Sequence, residues 1–293
     1  MRRWLSIAKA TALEILSEPL SFLLMLTAVT MTSLASVFHY HQFGEATRMA
    51  RDAGLSFLFL AGTLTAIAGP LKSFRREIET GTIQMALVHP LSRTTFFLAK
   101  CLGAAAAYFV FALIVAANTL IIVRGAEIGG SMAERTGDIA RLWRPSFALS
   151  MATAVVPLVA AAALDRFARW RFVPTAFVLA TVISLGGTVY RFNGALLARL
   201  APVLVLATFP AILFLVISSA LAVKFKANAA MSIIAVLFIA FVPAVGNYYL
   251  PDALSKGGCL SWSYVALAAL ALLPAIVAAL FVGIRFIRNQ DIT

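Results

Sequence analysis

Cysteine and histidine are both scarce in this sequence, which contains two cysteines and three histidines among 293 residues. Cys101 and Cys259 are too few for the disulfide framework of a small secreted domain or for a structural zinc site. His39 and His41 lie close together, but the sequence offers no third ligand near them. We therefore expect neither a bound metal nor a cofactor.

Charged residues are scarce as well: they make up 12% of the chain, whereas hydrophobic residues make up 62%. Soluble domains contain roughly 25% charged and 45–50% apolar residues. Several stretches exceed the ~18 consecutive, mostly apolar residues of a bilayer-spanning helix. In lipid the backbone polar groups must bond within their own segment, so spans of this length are helical. The composition predicts an all-α, polytopic integral membrane helical bundle.

Apolar segments alternate with short polar joints along the whole chain, which we treat as a single transmembrane domain, residues 1–293. We expect about six to eight transmembrane helices. Pro202, Pro210 and Pro243 make the 201–249 region the best candidate for a short or re-entrant pair. The predicted apolar segments are 20–38, 54–71, 100–123, 146–164, 173–190, 201–223, 229–249 and 263–284.

The basic residues in the joints predict the orientation. With the N-terminus inside, fifteen of the 24 Lys and Arg residues fall on the cytoplasmic side and nine on the outer side. An excess of Lys and Arg in short cytoplasmic loops sets orientation. We predict a multi-pass protein of the cell inner membrane with both termini in the cytoplasm and an outer loop at 125–145. The net charge of +12 is then a topology signal, so we expect membrane lipid and not nucleic acid as a partner.

The first 18 residues predict a short amphipathic interfacial helix that ends before Pro19. A helix of this kind, with a tryptophan and basic residues, is typical of the headgroup plane of a membrane. A plain extension of the first span is the alternative. No cleavable signal peptide is predicted, because no small-residue cleavage site follows the basic start. The residues expected on the apolar side of the helix are Trp4, Ile7, Ala8, Thr11 and Ile15.

The longest polar segment predicted on the cytoplasmic side, residues 73–98, lies between the second and third apolar segments. Its first part continues the helix of the second span into water, and this exposes Glu77 and Glu79. Gly81 suits the end of that helix, where the chain needs a left-handed residue. Thr82 can then cap a new short helix.

The short helix, with the sequence IQMALVH, carries an apolar ridge that includes Leu87, and it ends at Pro90. Ser92 can cap the third span. An apolar ridge outside the membrane, flanked by carboxylates, fits a groove on another protein. A re-entrant loop or a solvated helical hairpin explains the same periodicity equally well, so the pattern alone leaves these alternatives open.

The order of residues in this polar segment resembles the cytoplasmic loop of ABC-2-type transporter membrane subunits. The similarity consists of E-x-E-x-G-T, an apolar run, H-P-L-S-R and a lysine at the start of the next span. The amphipathic N-terminal segment and the basic ending RFIRNQDI also resemble the elbow helix and the C-terminus of that family. The loop positions that carry the resemblance are Glu77, Glu79, Gly81, Thr82, Pro90, Leu91, Ser92, Arg93 and Lys100.

The resemblance implies a permease subunit of an ATP-binding-cassette exporter, which forms the translocation path as a homodimer or a heterodimer with a second permease. A separate ATPase subunit would dock on the loop, so the chain itself is not expected to be an enzyme. The sequence agrees in lacking the Gly-Lys dipeptide of a P-loop. The family core has six spans, fewer than the apolar segments present here. The residues implied to contact the ATPase are Glu77, Glu79, Gly81, Thr82, Leu87, Pro90 and Arg93.

Asn118 and Asn247 are the notable polar residues within the predicted spans. Interhelical hydrogen bonding is the default interpretation, and contact with a substrate in the translocation path is the alternative.

No ionisable residue lies near the middle of a predicted span, which disfavours a proton-coupled secondary transporter and an intramembrane enzyme. A membrane anchor that recruits a cytoplasmic protein through the same loop, without transport, is a further hypothesis, as is a secondary transporter.

Overall fold

The computed structural model describes residues 2–35, 46–80, 92–130, 145–248 and 262–288, and all regular structure in these ranges is helical. This confirms the all-α prediction. The described helices are α1 (Arg2–Leu16), α2 (Pro19–Ala35), α3 (Ala46–Glu79), α4 (Arg93–Gly130), α5 (Pro145–Ala168), α6 (Phe172–Tyr190), α7 (Gly194–Lys224), α8 (Ala227–Tyr248) and α9 (Trp262–Arg288).

Six of these helices, α3 to α7 and α9, are long and apolar enough to cross a membrane. They confirm a polytopic membrane protein. α1 and α2 together make one further candidate, which is either a broken span or a re-entrant loop. The apolar part of α8 that the structure describes, Asn228–Phe241, is shorter. Within the described ranges the number of candidate spans is therefore six or seven, which agrees with the prediction.

In the 201–249 region, where we predicted a short or re-entrant pair, the described apolar part of α8 is short, but the prolines do not interrupt the helices. α7 runs through Pro202 and Pro210, and α8 runs through Pro243. Proline is tolerated in membrane helices because neighbouring groups can satisfy the carbonyl that loses its donor. The helical structure ends instead at Phe225 and Lys226, between α7 and α8.

The chain divides into two compact units. α1, α8 and α9 belong to the first unit, and α2, α5 and α6 belong to the second; α3, α4 and α7 contribute to both. By residue, the first unit is Met1–Ile15, Thr63–Tyr108 and Val205–Thr293, and the second unit is Leu16–Gly62 and Phe109–Leu204.

In the first unit, α1 packs through the face that the sequence predicts to be apolar. Ala8, Thr11 and Ile15 are buried and recur at helical spacing. Ile15 lies beside Gly69 of α3, and the backbone carbonyl of Ala8 lies beside Gly103 of α4. A Cβ atom at position 103 would be only 2.3 Å from that carbonyl oxygen. Glycine is therefore what lets the backbones of α1 and α4 approach so closely.

The aromatic core of the first unit lies between the ends of α3 and α4 that flank residues 81–91. Phe74 and Phe97 are buried, and their ring centroids are 5.6 Å apart. Gly283 of α9 leaves room for the ring of Phe97, since a Cβ atom there would come within 2.4 Å of it. These contacts join α3, α4 and α9.

In the second unit, α2 packs on the helical hairpin that α5 and α6 form. The ring of Phe22 is 5.4 Å from that of Phe172 and 6.2 Å from that of Phe177, in both cases edge to face. Small side chains line the buried faces of the hairpin, as is usual where membrane helices pack closely. The buried alanines are Ala154 and Ala161 of α5 and Ala176 and Ala180 of α6.

Candidate functional site

The candidate site lies in the first unit, where the end of α3 and the start of α4 flank residues 81–91. Ser92 caps α4 as predicted, because its Oγ accepts a hydrogen bond from the backbone N–H of Thr95 at 3.1 Å. The part of the chain that the structure describes does not include Gly81, Thr82, Leu87 and Pro90. It also leaves out His39, His41, Cys259 and most of the predicted outer loop.

Lys100 of α4 is the centre of the site, and its side chain is fully buried. Its ammonium lies 2.8 Å from Oε2 of Glu77. It also donates hydrogen bonds to Oγ and to the carbonyl oxygen of Ser73, at 3.0 Å and 3.2 Å. Ser73 and Glu77 are one helical turn apart and share a face of α3. The three N–H groups of the ammonium therefore have three oxygen partners.

Aromatic rings form the rest of the environment of Lys100. Its ammonium is 4.8 Å from the ring centroid of Phe74 and 5.8 Å from that of Phe96, within the range of cation–π attraction. Burying a charge is costly unless it is paired and hydrogen-bonded. Here the pairing with Glu77 is what makes a lysine tolerable in an aromatic core.

Glu14 brings α1 into the same network. The Oγ of Ser73 donates a hydrogen bond to Oε2 of Glu14 at 2.8 Å, and the guanidinium of Arg76 is 3.8 Å from Oε1 of Glu14. We call Glu14, Ser73, Arg76, Glu77 and Lys100 the charged cluster. Its two carboxylates balance one ammonium and one guanidinium, and it joins α1, α3 and α4.

Two arginines connect the same ends of α3 and α4 to other helix ends of the first unit. Arg75 of α3 donates to the carbonyl of Phe225, which follows α7, at 3.3 Å. Arg93 of α4 donates to the last carbonyls of α9, those of Ile287 and Arg288, at 3.5 Å and 3.3 Å. Arginine suits these positions because the last carbonyls of a helix have no partner within the helix.

The two predicted contact carboxylates differ in their environment. Glu79 is exposed as expected, with 65% of its side chain accessible, and it pairs with Arg75 at 3.3 Å. The expectation that Glu77 is exposed is wrong: only 27% of its side chain is accessible, and it faces Lys100. A single lysine two turns into an otherwise apolar helix signals that Lys100 needs a partner, but it does not identify Glu77 as that partner. The roles of Glu14 and Ser73 have no such signal.

No protein-family model, curated protein or solved structure matches this chain. The family resemblance of the loop therefore stays a prediction. Lys100 is buried and the charges of the cluster balance, so the cluster serves to hold α1, α3 and α4 together.

Asn118, the other predicted site residue that the structure describes in full, lies in the second unit. Its amide nitrogen donates to the carbonyl of Val29 and to Oγ of Ser33, at 3.3 Å and 3.4 Å. Its amide oxygen accepts from Oγ of Ser150 at 2.7 Å and from Oγ1 of Thr153 at 3.0 Å. The amide nitrogen and the amide oxygen of Asn118 both have hydrogen-bond partners, which favours a structural link between α2, α4 and α5. Asn247 belongs to α8, but its side chain is outside the described residues.

Proposed function

We propose that this chain is the membrane-spanning permease subunit of an ATP-driven exporter of the ABC-2 type. In this proposal, residues 81–91 dock on a separate ATPase subunit. The observation that carries the proposal is the charged cluster together with the two arginine contacts. The described residues on both sides of the 81–91 loop are bonded to α1 and to the ends of α7 and α9. A displacement of the loop would therefore move several helices at once.

Rigid attachment matters because transport requires two packings that nucleotide binding stabilises unequally. A loop that hinged freely on α3 and α4 would absorb the movement of the ATPase. The ion pair between Glu77 and Lys100 resists such hinging, since separating the two groups would leave a charge in an aromatic environment. Glu79 is mostly exposed and its ion pair with Arg75 lies at the surface, so its carboxylate is the natural contact for a basic group on the ATPase.

The remaining parts of the proposal follow from the topology and from the resemblance. Two such subunits, identical or different, form the translocation path in the cell membrane, with both termini and the 81–91 loop in the cytoplasm. Hydrolysis belongs to the partner, because the chain lacks the Gly-Lys dipeptide of a P-loop. The mostly neutral spans suit an apolar substrate, a lipid or a peptide.

The proposal is tested by reversing the charge of Glu79 and measuring the ATPase activity that co-purifies with the chain from its native membrane. Glu79→Lys should lower the recovered activity about fivefold, because it places a positive charge opposite the basic group that the proposal expects on the ATPase. The melting temperature should not change, since the side chain is exposed. Glu77 is unsuitable for this test, because its substitution would also leave the buried Lys100 without its ion-pair partner.

Glu127→Lys is the matched control. Glu127 pairs with Arg124 near the other end of α4, at 3.0 Å, as Glu79 pairs with Arg75. The control variant should retain the ATPase activity of the wild type. Equal activity in the two variants, or no nucleotide hydrolysis with the wild-type chain, would count against the proposal.

A further inference from the structure

The tip of the hairpin between α5 and α6, residues 165–172, has an unusual surface. Its sequence, DRFARWRF, alternates arginines with aromatic residues. Two large aromatic side chains point outward, since Phe167 is 85% exposed and Trp170 is 57% exposed. Three exposed arginines, Arg166, Arg169 and Arg171, accompany one exposed carboxylate, that of Asp165.

The backbone of the tip is strained at Arg169. α5 ends at Ala168, and Arg169 then adopts a φ of 54°, which places it in the left-handed region. The N–H of Trp170 reaches back to the carbonyl of Leu164 at 3.4 Å and so closes the helix end. Glycine makes this kind of turn without the steric cost of a Cβ atom. The geometry of the turn therefore does not itself require an arginine at this position.

The hairpin that carries the tip is exposed along its sides. Both helices are candidate membrane spans, yet only 28% of the most apolar 18-residue window of each is buried inside the protein. Val155 and Val159 of α5 and Val178 and Val182 of α6 are more than half exposed. Side chains of this kind belong against lipid tails, so the tip at the end of the hairpin lies at the boundary between lipid and water.

We propose that the tip, residues 165–172, binds the headgroups of anionic phospholipids. Phe167 and Trp170 lie among the glycerol and upper acyl groups, where aromatic side chains are enriched. The guanidinium groups of Arg166, Arg169 and Arg171 bind lipid phosphates, for which arginine offers paired donors. A cytoplasmic protein would also be attracted to the positive charge. Lipid is the better match because exposed apolar side chains continue from the tip along both helices. The proposal does not depend on the transport function.

The experiment uses the full chain, purified in detergent and titrated with phosphatidylglycerol or phosphatidylcholine, with bound lipid counted by native mass spectrometry. The wild type should bind phosphatidylglycerol more tightly than phosphatidylcholine. Arg169→Gly removes one guanidinium and relieves the strained backbone. It should weaken phosphatidylglycerol binding about fivefold, as expected for one arginine at an anionic surface. Its melting temperature without added lipid should be unchanged or higher.

Arg199→Gln is the matched control, because it removes an exposed arginine near the start of α7 and should leave lipid binding unchanged. Arg166→Gln combined with Arg171→Gln leaves the turn itself intact and should weaken binding more than Arg169→Gly does. Equal affinity of the wild type for the two lipids would overturn the proposal, and so would unchanged phosphatidylglycerol binding in the arginine variants. Loss of a co-purifying protein without loss of lipid binding would also overturn it and would identify the tip as a protein interface.

Discussion

Lys100→Met is expected to destabilise the protein by about 3 kcal/mol, the lower end of the cost of removing one partner of a buried ion pair. The ammonium now lies between Glu77 and the rings of Phe74 and Phe96. Methionine fills a similar volume, but it leaves the carboxylate of Glu77, which is largely shielded from water, without its cation. The melting temperature in detergent should fall by about 5–10 °C.

Combining Lys100→Met with Glu77→Gln should recover most of the lost stability, because the unpaired carboxylate is then removed as well. The two substitutions should couple by more than ~1 kcal/mol, as residues in direct contact do. Lys72→Met, which removes an exposed lysine of α3, is the control and should have little effect. If Lys100→Met melts at the temperature of the wild type, the ion pair does not hold together the ends of α3 and α4 that flank the loop.

Gly103→Ala is expected to displace α1 from α4. The added Cβ atom would lie 2.3 Å from the carbonyl oxygen of Ala8 and 2.9 Å from Cβ of Thr11. A backbone carbonyl cannot rotate aside as a long side chain can, so α1 has to move. Overpacking of this kind costs about 1–3 kcal/mol. The amide hydrogens of α1 should exchange about tenfold faster or more, since 1.4 kcal/mol is a factor of ten.

Gly186→Ala is the matched control for this substitution. Gly186 lies within α6, and a Cβ atom there would meet no other atom within 4 Å. Alanine is a better helix former than glycine, so this variant should be as stable as the wild type or slightly more stable. Similar exchange rates of α1 in Gly103→Ala and in the wild type would show that α1 is not held against α4 as described.

The elements that the sequence predicted correctly are those that depend on one-dimensional patterns. Length and hydropathy locate the apolar helices, because a bilayer fixes the minimum length of a span. The 3.6-residue period locates the buried face of α1, and Ala8, Thr11 and Ile15 lie on it as predicted. Ser92 was predicted to cap α4 from its position before an apolar run, and it does so.

The parts that the sequence could not predict depend on which side chains meet. Glu77 and Lys100 were both identified, but their pairing across the loop follows from how α3 and α4 pack, so Glu77 was wrongly expected to be exposed. The close approach at Gly103 is a property of two helix backbones. The effect of Pro202 and Pro210 depends on whether neighbouring groups satisfy the freed carbonyls. None of these is a property of a local sequence window.

Cross-linking from inside residues 81–91 tests most directly whether this loop docks on a nucleotide-hydrolysing subunit. A photo-reactive amino acid would replace Leu87, and native membranes that contain the variant would be irradiated with and without ATP. We predict an adduct with a second polypeptide that carries a P-loop motif, in a yield that changes with ATP. Adducts confined to lipid or to this chain itself, in both conditions, would contradict the proposed coupling role.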